Sequence, residues 1–163
     1  MRSTNHILRG AVLLACLLAL PLSANADRRY AKRIKKDAVP CAVLTDFNNV
    51  YPNHKVQGYS RVDIDGRNYY QMESLDGKTR RYIVYNEDGS VYETREVVKV
   101  RSMPENVWQA VSQAYPQATM NWGERATRGT VVQYNVIVRE GRKRTNVVLD
   151  QSGNFVQRLV SWI

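Results

Sequence analysis

At 163 residues, 44% of them hydrophobic, the chain has enough apolar material for one packed domain or two very small ones. It carries 24 basic and 15 acidic residues for a net charge of +9, with only two histidines and two cysteines. So few of the latter exclude a histidine-built metal cluster and a disulfide framework.

The first ten residues, Met1 to Gly10, include Arg2 and Arg9 and form a basic start. The apolar run Ala11 to Leu20 and the stretch Pro21-Leu22-Ser23-Ala24-Asn25-Ala26 follow. This is the pattern of a secretory signal cut after Ala26. The apolar run is shorter than the roughly 20 residues of a spanning helix, so the chain is expected to be periplasmic or secreted and not an integral membrane protein. Cys16 suggests a lipoprotein signal, but most of the apolar run would then lie at or beyond the mature start. Of the 24 basic residues, removal of Arg2 and Arg9 leaves 22 against 15 acids, a net of +7. One cysteine, Cys41, and one histidine, His54, remain, so an internal disulfide is excluded and one between chains stays open.

Residues 27–38 carry Arg28, Arg29, Lys32, Arg33, Lys35 and Lys36 without hydrophobic periodicity. They read as a basic linker or solvated arm, able to touch anionic lipid or glycan through residues 28–36.

From residue 39 a shift of 64 aligns the rest of the chain with itself without a gap. Val39-Pro40 meets Met103-Pro104, Phe47 meets Val111, and Tyr51-Pro52 meets Tyr115-Pro116. Further on, Tyr70 meets Tyr134, Met72 meets Val136, Val84 meets Val148, and Gly89 meets Gly153. Each half opens on an amphipathic helix, with Pro in its first turn and ended by Pro52 or Pro116. Its apolar residues are Val39, Val43, Leu44, Phe47, Val50 and Tyr51 in one copy, and Met103, Val107, Trp108, Val111 and Tyr115 in the other. Short segments rich in Val, Ile, Tyr and Thr follow, cut by Asp65-Gly66, Asp76-Gly77, Asp88-Gly89, Arg128-Gly129, Glu140-Gly141 and Ser152-Gly153, the marks of hairpins. The predicted fold is α+β: tandem repeats over 39–101 and 102–163, each one helix followed by a four-stranded antiparallel meander, with the helices on one face.

Alternation then assigns the faces. Tyr70, Met72, Ile83 and Tyr85, with Tyr134, Val136, Val147 and Leu149, are expected under the helices. The open face is expected to carry Tyr69, Gln71, Glu73, Arg80, Tyr82, Tyr92 and Thr94 in the first copy. In the second it should carry Gln133, Asn135, Ile137, Arg144, Asn146, Val148 and Arg158. Exposed tyrosines among arginines have the composition of protein interfaces, although cross-strand tyrosines also simply stabilise solvated sheets. Tyr69, Arg80, Tyr82 and Tyr92 are the candidate partner-binding residues. Trp162 is expected in the core.

The helix pattern Val39-Pro40, Val43, Phe47, Tyr51-Pro52, its second copy Met103-Pro104, Val107, Val111, Tyr115-Pro116, and the following Trp122 resemble the PepSY-like proteins grouped with β-lactamase-inhibitor-like domains. The strand ends Asn86-Glu87-Asp88-Gly89 and Asp150-Gln151-Ser152-Gly153 belong to the same resemblance, which covers residues 38–163. It implies an exported protein of a family most of whose members have no established activity, with one helix and a four-stranded sheet per repeat and sheets that join into a concave surface able to grip a protein partner. The chain is expected to be a non-enzymatic binding or inhibitor-like module of the envelope or extracellular space. Two departures limit the transfer to fold and class. The inhibitory proteins staple each repeat with a disulfide, which this chain lacks, and Gly58-Tyr59 faces Trp122-Gly123 with a shift of one residue.

Enzymatic chemistry finds little support. A Ser-His-acid triad would need His54, expected as an exposed polar residue in Tyr51-Pro52-Asn53-His54-Lys55. Cys41, in a first helical turn where thiols gain reactivity, has no evident partner base. The loops Asp63 to Gly66 and Asn86 to Gly89 lack the acid of a calcium loop, Met72 and Arg95 standing in its place, and are hairpin turns. No cofactor motif occurs, and export argues against nucleic acid as a partner.

Overall fold

The computed structural model describes residues 29–162, Trp162 in its backbone only. The leader over residues 1–26, its cleavage after Ala26, the arm residue Arg28 and the Trp162 side chain lie outside the described residues.

Two helices and nine strands follow one another in the order β1 (Arg29–Ile34), α1 (Cys41–Val50), β2 (Lys55–Ile64), β3 (Arg67–Asp76), β4 (Thr79–Tyr85), β5 (Val91–Lys99), α2 (Glu105–Ala114), β6 (Trp122–Arg128), β7 (Val131–Glu140), β8 (Lys143–Asp150) and β9 (Phe155–Trp162). A single 3-10 turn precedes each helix, at Lys36–Ala38 and Val100–Ser102. All nine strands form one antiparallel sheet whose spatial order is the chain order. The α+β class and the meander therefore stand.

Pro40 and Pro104 sit at the N-caps of α1 and α2, and each helix stops at the tyrosine before the next proline, Tyr51 or Tyr115. The prolyl ring clashes with helical backbone at the residue before it, which ends both helices. Each helix buries one edge. Val43 and Phe47 pack with Val39, Tyr70, Met72, Ile83 and Tyr85. Val107 and Val111 pack with Val100, Met103, Tyr134, Val136, Val138, Val147 and Leu149. The residues that alternation assigned to the covered face thus lie in two separate cores, one under each helix.

The last hairpin of each half also touches its helix. Gly89 (φ 88°) and Gly153 (φ 84°) are left-handed, and a Cβ there would come within 2.9 Å of the Ala42 carbonyl oxygen and 2.7 Å of that of Asn106. Only glycine satisfies the backbone and the contact together. Asp88 and Asp150 fold these turns by accepting the backbone N–H of Ser90 and Ser152, at 2.8 Å each.

Three expectations change. Residues 29–34, placed in a linker, form β1, an edge strand in register with β2 from Arg29↔Ile64 to Ile34↔Tyr59. No hydrophobic pattern announces it, because its ties are the ladder and arginine side chains: Arg33 reaches Glu73 at 3.1 Å. Thr94 and Arg158, expected on the open face, lie on the helix side, opposite Ile83 and Val147. Bulges between Val84 and Tyr85 and between Val148 and Leu149, with Tyr92 and Val156 as the extra residues, shift the alternation by one residue.

Candidate functional site

The helix-free face divides into two zones. In the first half it is built around Glu93, which is 3% exposed. Arg29 donates two hydrogen bonds to its carboxylate, at 2.7 Å each. Arg128, from the second half, adds a third at 2.9 Å, and the Nε of Arg95 lies 3.3 Å away. Burial raises the Glu93 pKa, but the hydrogen bonds and positive charge of these guanidinium groups outweigh it and hold the carboxyl below its ordinary value. A buried carboxylate survives only when so paired.

Beside it Val62, Ile64, Tyr69 and Val84 form a small apolar cluster with Tyr92 against it. The Tyr69 and Tyr92 rings lie 4.3 Å apart, and Arg128 covers Tyr92 at 4.5 Å. Of the four candidate contact residues, Tyr69 is therefore buried, at 6% exposure, and Tyr92 is held between neighbours. Tyr82 is half-buried under the Arg95 guanidinium, 5.1 Å from its ring. Arg80 is exposed, 3.5 Å from Glu73. The structure brings Tyr69 to Tyr92 and sets Arg80 and Tyr82 apart from them on β4, beside Glu73 and Arg95.

There the face is bare. Trp122 alternates with Gly123, whose missing Cβ points at Met103 in the core; the indole therefore stands on the open side, 55% exposed, with the Lys99 ammonium 5.8 Å from its ring. Ile137 pairs with Asn146, and Asn146 with Leu159, so all three share that side. Leu159 is 48% exposed. Among them the side-chain oxygens of Asn135 and Asn146 are buried without a hydrogen-bond partner. Trp122 and Leu159 stand three strands apart, about 14 Å at the usual strand spacing. Sequence reasoning placed Ile137, Asn135 and Asn146 on this face and passed over Trp122 and Leu159. The signal for Trp122 was available: a large residue next to a glycine on a sheet presents its bulk opposite to the tight side.

The helix-side residues first considered for chemistry have other work. His54, expected to be exposed, has a side chain only 9% accessible. Its Nε2 lies 3.0 Å from Arg81 Nη1, and its Nδ1 3.1 Å from Ser74 Oγ. A guanidinium only donates, so Nε2 accepts and Nδ1–H donates to Ser74. A nucleophilic serine needs the opposite direction, and Ser74 is fully buried. The cluster is a structural tie from the loop after α1 to β3 and β4. Cys41 is exposed beside a shallow hollow lined by Lys35, Lys36, Asp37, Val39 and Leu44. Among the described residues no group of three metal-ligating side chains comes together, and no helix is long and apolar enough to cross a membrane. In the basic arm, Arg29 and Arg33 are committed to ion pairs with Glu93 and Glu73, while Lys32, Lys35 and Lys36 are exposed.

No known family profile matches the chain, and no curated protein does. Solved structures do. A DUF2874 family protein from Bacteroides uniformis superposes with a TM-score of 0.64 at 12% identity, over 74% of this chain and 88% of that one. A protein from Bacteroides eggerthii assigned provisionally to the periplasm gives 0.65 at 10%, over 75% and 88%. A BLIP-like protein from Bacteroides fragilis gives 0.61 at 13%, over 75% and 86%. At such identities the likeness is one of fold: the chain has the architecture of BLIP-like and DUF2874 proteins.

Proposed function

We propose that this chain is a non-enzymatic binding module of the bacterial periplasm, a tandem repeat of one helix-and-meander unit, which takes a protein partner on the open face of its second half. The observation that carries the reading is the contrast between the two zones: Glu93 and its arginines occupy the first, while in the second Trp122 and Leu159 stand about half exposed with the half-buried Ile137 on the same side. A half-exposed indole with a half-exposed leucine across the same face supplies apolar anchors on a surface bordered by polar side chains, which is how contact hot spots are built. Arg80 and Tyr82 extend the surface toward the first half, and Tyr69 and Tyr92 lie on the same face within the first zone. Periplasmic location is supported by the leader pattern of residues 1–26 and by the description of one fold neighbour.

The test is site-specific photo-crosslinking in the periplasm from position 137, beside a control at Asn48 on the exposed side of α1. One protein crosslinked from 137 and lost on Trp122→Ala supports the reading. Crosslinks from Asn48 alone, or none from 137, overturn it. A second reading, in which the basic arm holds the protein to anionic lipid or glycan, draws on exposed Lys32, Lys35 and Lys36. It predicts salt-sensitive co-sedimentation with anionic vesicles.

A further inference from the structure

We propose that β9 is the seam of a homodimer, in which two copies join these edges antiparallel about a two-fold axis at Leu159. Among the described residues the sheet, in chain order, has two outer edges, β1 and β9, and they differ. β1 carries Arg29, Lys32 and Arg33 in six residues; Arg29 and Arg33 are tied inward to Glu93 and Glu73, and the exposed Lys32 is the kind of side chain that guards an edge. β9 carries one charge, Arg158, drawn back over the Phe155 ring at 4.0 Å. Val156, Leu159 and Val160 are 37%, 48% and 55% exposed along it. Every second residue of such an edge turns its N–H and C=O outward.

The chain itself shows how this edge is used. A shift of 64 carries β5 onto β9, and β5 is not an end: its outer edge receives β6, from Thr94↔Thr127 to Lys99↔Trp122. That junction is tied by Glu93 to Arg128 at 2.9 Å, Glu96 to Arg125 at 3.0 Å and Arg95 to Glu124 at 3.6 Å. At the equivalent places β9 has Gln157, Val160 and Leu159. The same edge has lost its demand for charged partners and gained apolar ones, which a second copy supplies.

The register follows from polarity. With Leu159 opposite its own copy, Gln157 meets Ser161 and Arg158 meets Val160, so no arginines face each other. The two-fold runs across the sheet plane, so the two open faces become one, with the paired Leu159 side chains at its centre. Joining β9 to β1 of another copy would set Arg158 against a basic strand and leave edges free for endless addition.

Sedimentation equilibrium of the purified protein decides the state, and two kinds of variant decide the seam. The protein should sediment as a dimer. Leu159→Lys should sediment as a monomer that still melts cooperatively, at a midpoint that no longer rises with protein concentration. In a background with Cys16→Ser and Cys41→Ser, Leu159→Cys should oxidise to a disulfide-linked dimer, because directly opposed residues lie about 4.5–5.5 Å apart. Val160→Cys, opposite an arginine, should not. A monomer up to about 100 μM, well above the ~1 μM constant of an ordinary weak complex, overturns the proposal. So does a Leu159→Lys dimer, or crosslinking of Val160→Cys as readily as Leu159→Cys.

Discussion

The two halves of the open face share a backbone plan and differ in what they do with it. At β5 and β9, related by a shift of 64 residues, the first half places Glu93 where the second places Gln157, and Arg95 where the second places Leu159. One carboxylate is enough to gather Arg29, Arg95 and Arg128, and two of these, Arg95 and Arg128, lie over Tyr82 and Tyr92. Without it, the second half keeps its tryptophan and aliphatic residues uncovered. One framework thus yields a closed surface and an open one, by changing side chains on one face of a few strands and leaving both cores intact.

The sharpest way to break the contrast is to remove Glu93. Glu93→Ala removes the buried anion that three part-exposed arginines share and should destabilise the protein by about 1–3 kcal/mol in denaturant titration. Asn135→Ala, on the bare zone, should stay within about 0.5 kcal/mol. Tyr69 and Trp122 should separate stability from capture. Tyr69→Ala empties a buried aromatic site and should cost about 3 kcal/mol of folding stability. Trp122→Ala should leave the melting point nearly unchanged while weakening partner capture by about 2 kcal/mol, roughly thirtyfold.

Acid gives a finer probe. Glu93 has a folded-state pKa below its ordinary 4.5, so its contribution to stability is fully present above that value and is lost as pH falls through the folded pKa. Glu93→Gln should flatten this part of the stability profile below about pH 4.5. Changing Asn146 to Ala should leave the acid limb as it was. The smallest effect per residue is expected in the arm: replacing Lys32, Lys35 and Lys36 by Ala should reduce vesicle co-sedimentation by at most about 1 kcal/mol for each lysine, and should not alter capture at Trp122.

Much of the fold was legible in the sequence because the same pattern is written twice, once in each half. Val43 with Phe47 and Val107 with Val111 mark both helices. Tyr70 with Met72 and Tyr134 with Val136 mark the covered sides of β3 and β7, and the Asp-Gly and Ser-Gly pairs mark the turns. Three things were not legible. β1 carries no apolar alternation, since it is held by backbone pairing and by arginines whose acids lie far away in the chain. The bulges at Tyr92 and Val156 shift the period after Tyr85 and Leu149, which moved Thr94 and Arg158 to the wrong face. The candidate contacts were chosen as tyrosines among arginines, a composition that also describes a surface already occupied by its own charges. Tyr69 and Tyr92 belong to such a surface, and only the position of Glu93 distinguishes the two cases.

The Glu93 carboxylate takes one guanidinium from β1, at the start of the described chain, and another from the end of β6, in the opposite half. Two cores that share no buried side chain are thereby given a common dependence. Opening the first strand withdraws Arg29, opening the second half withdraws Arg128, and either loss leaves the same charge underpaired. This coupling makes the cores lose protection together, so hydrogen exchange should report one cooperative unit where the packing alone suggests two.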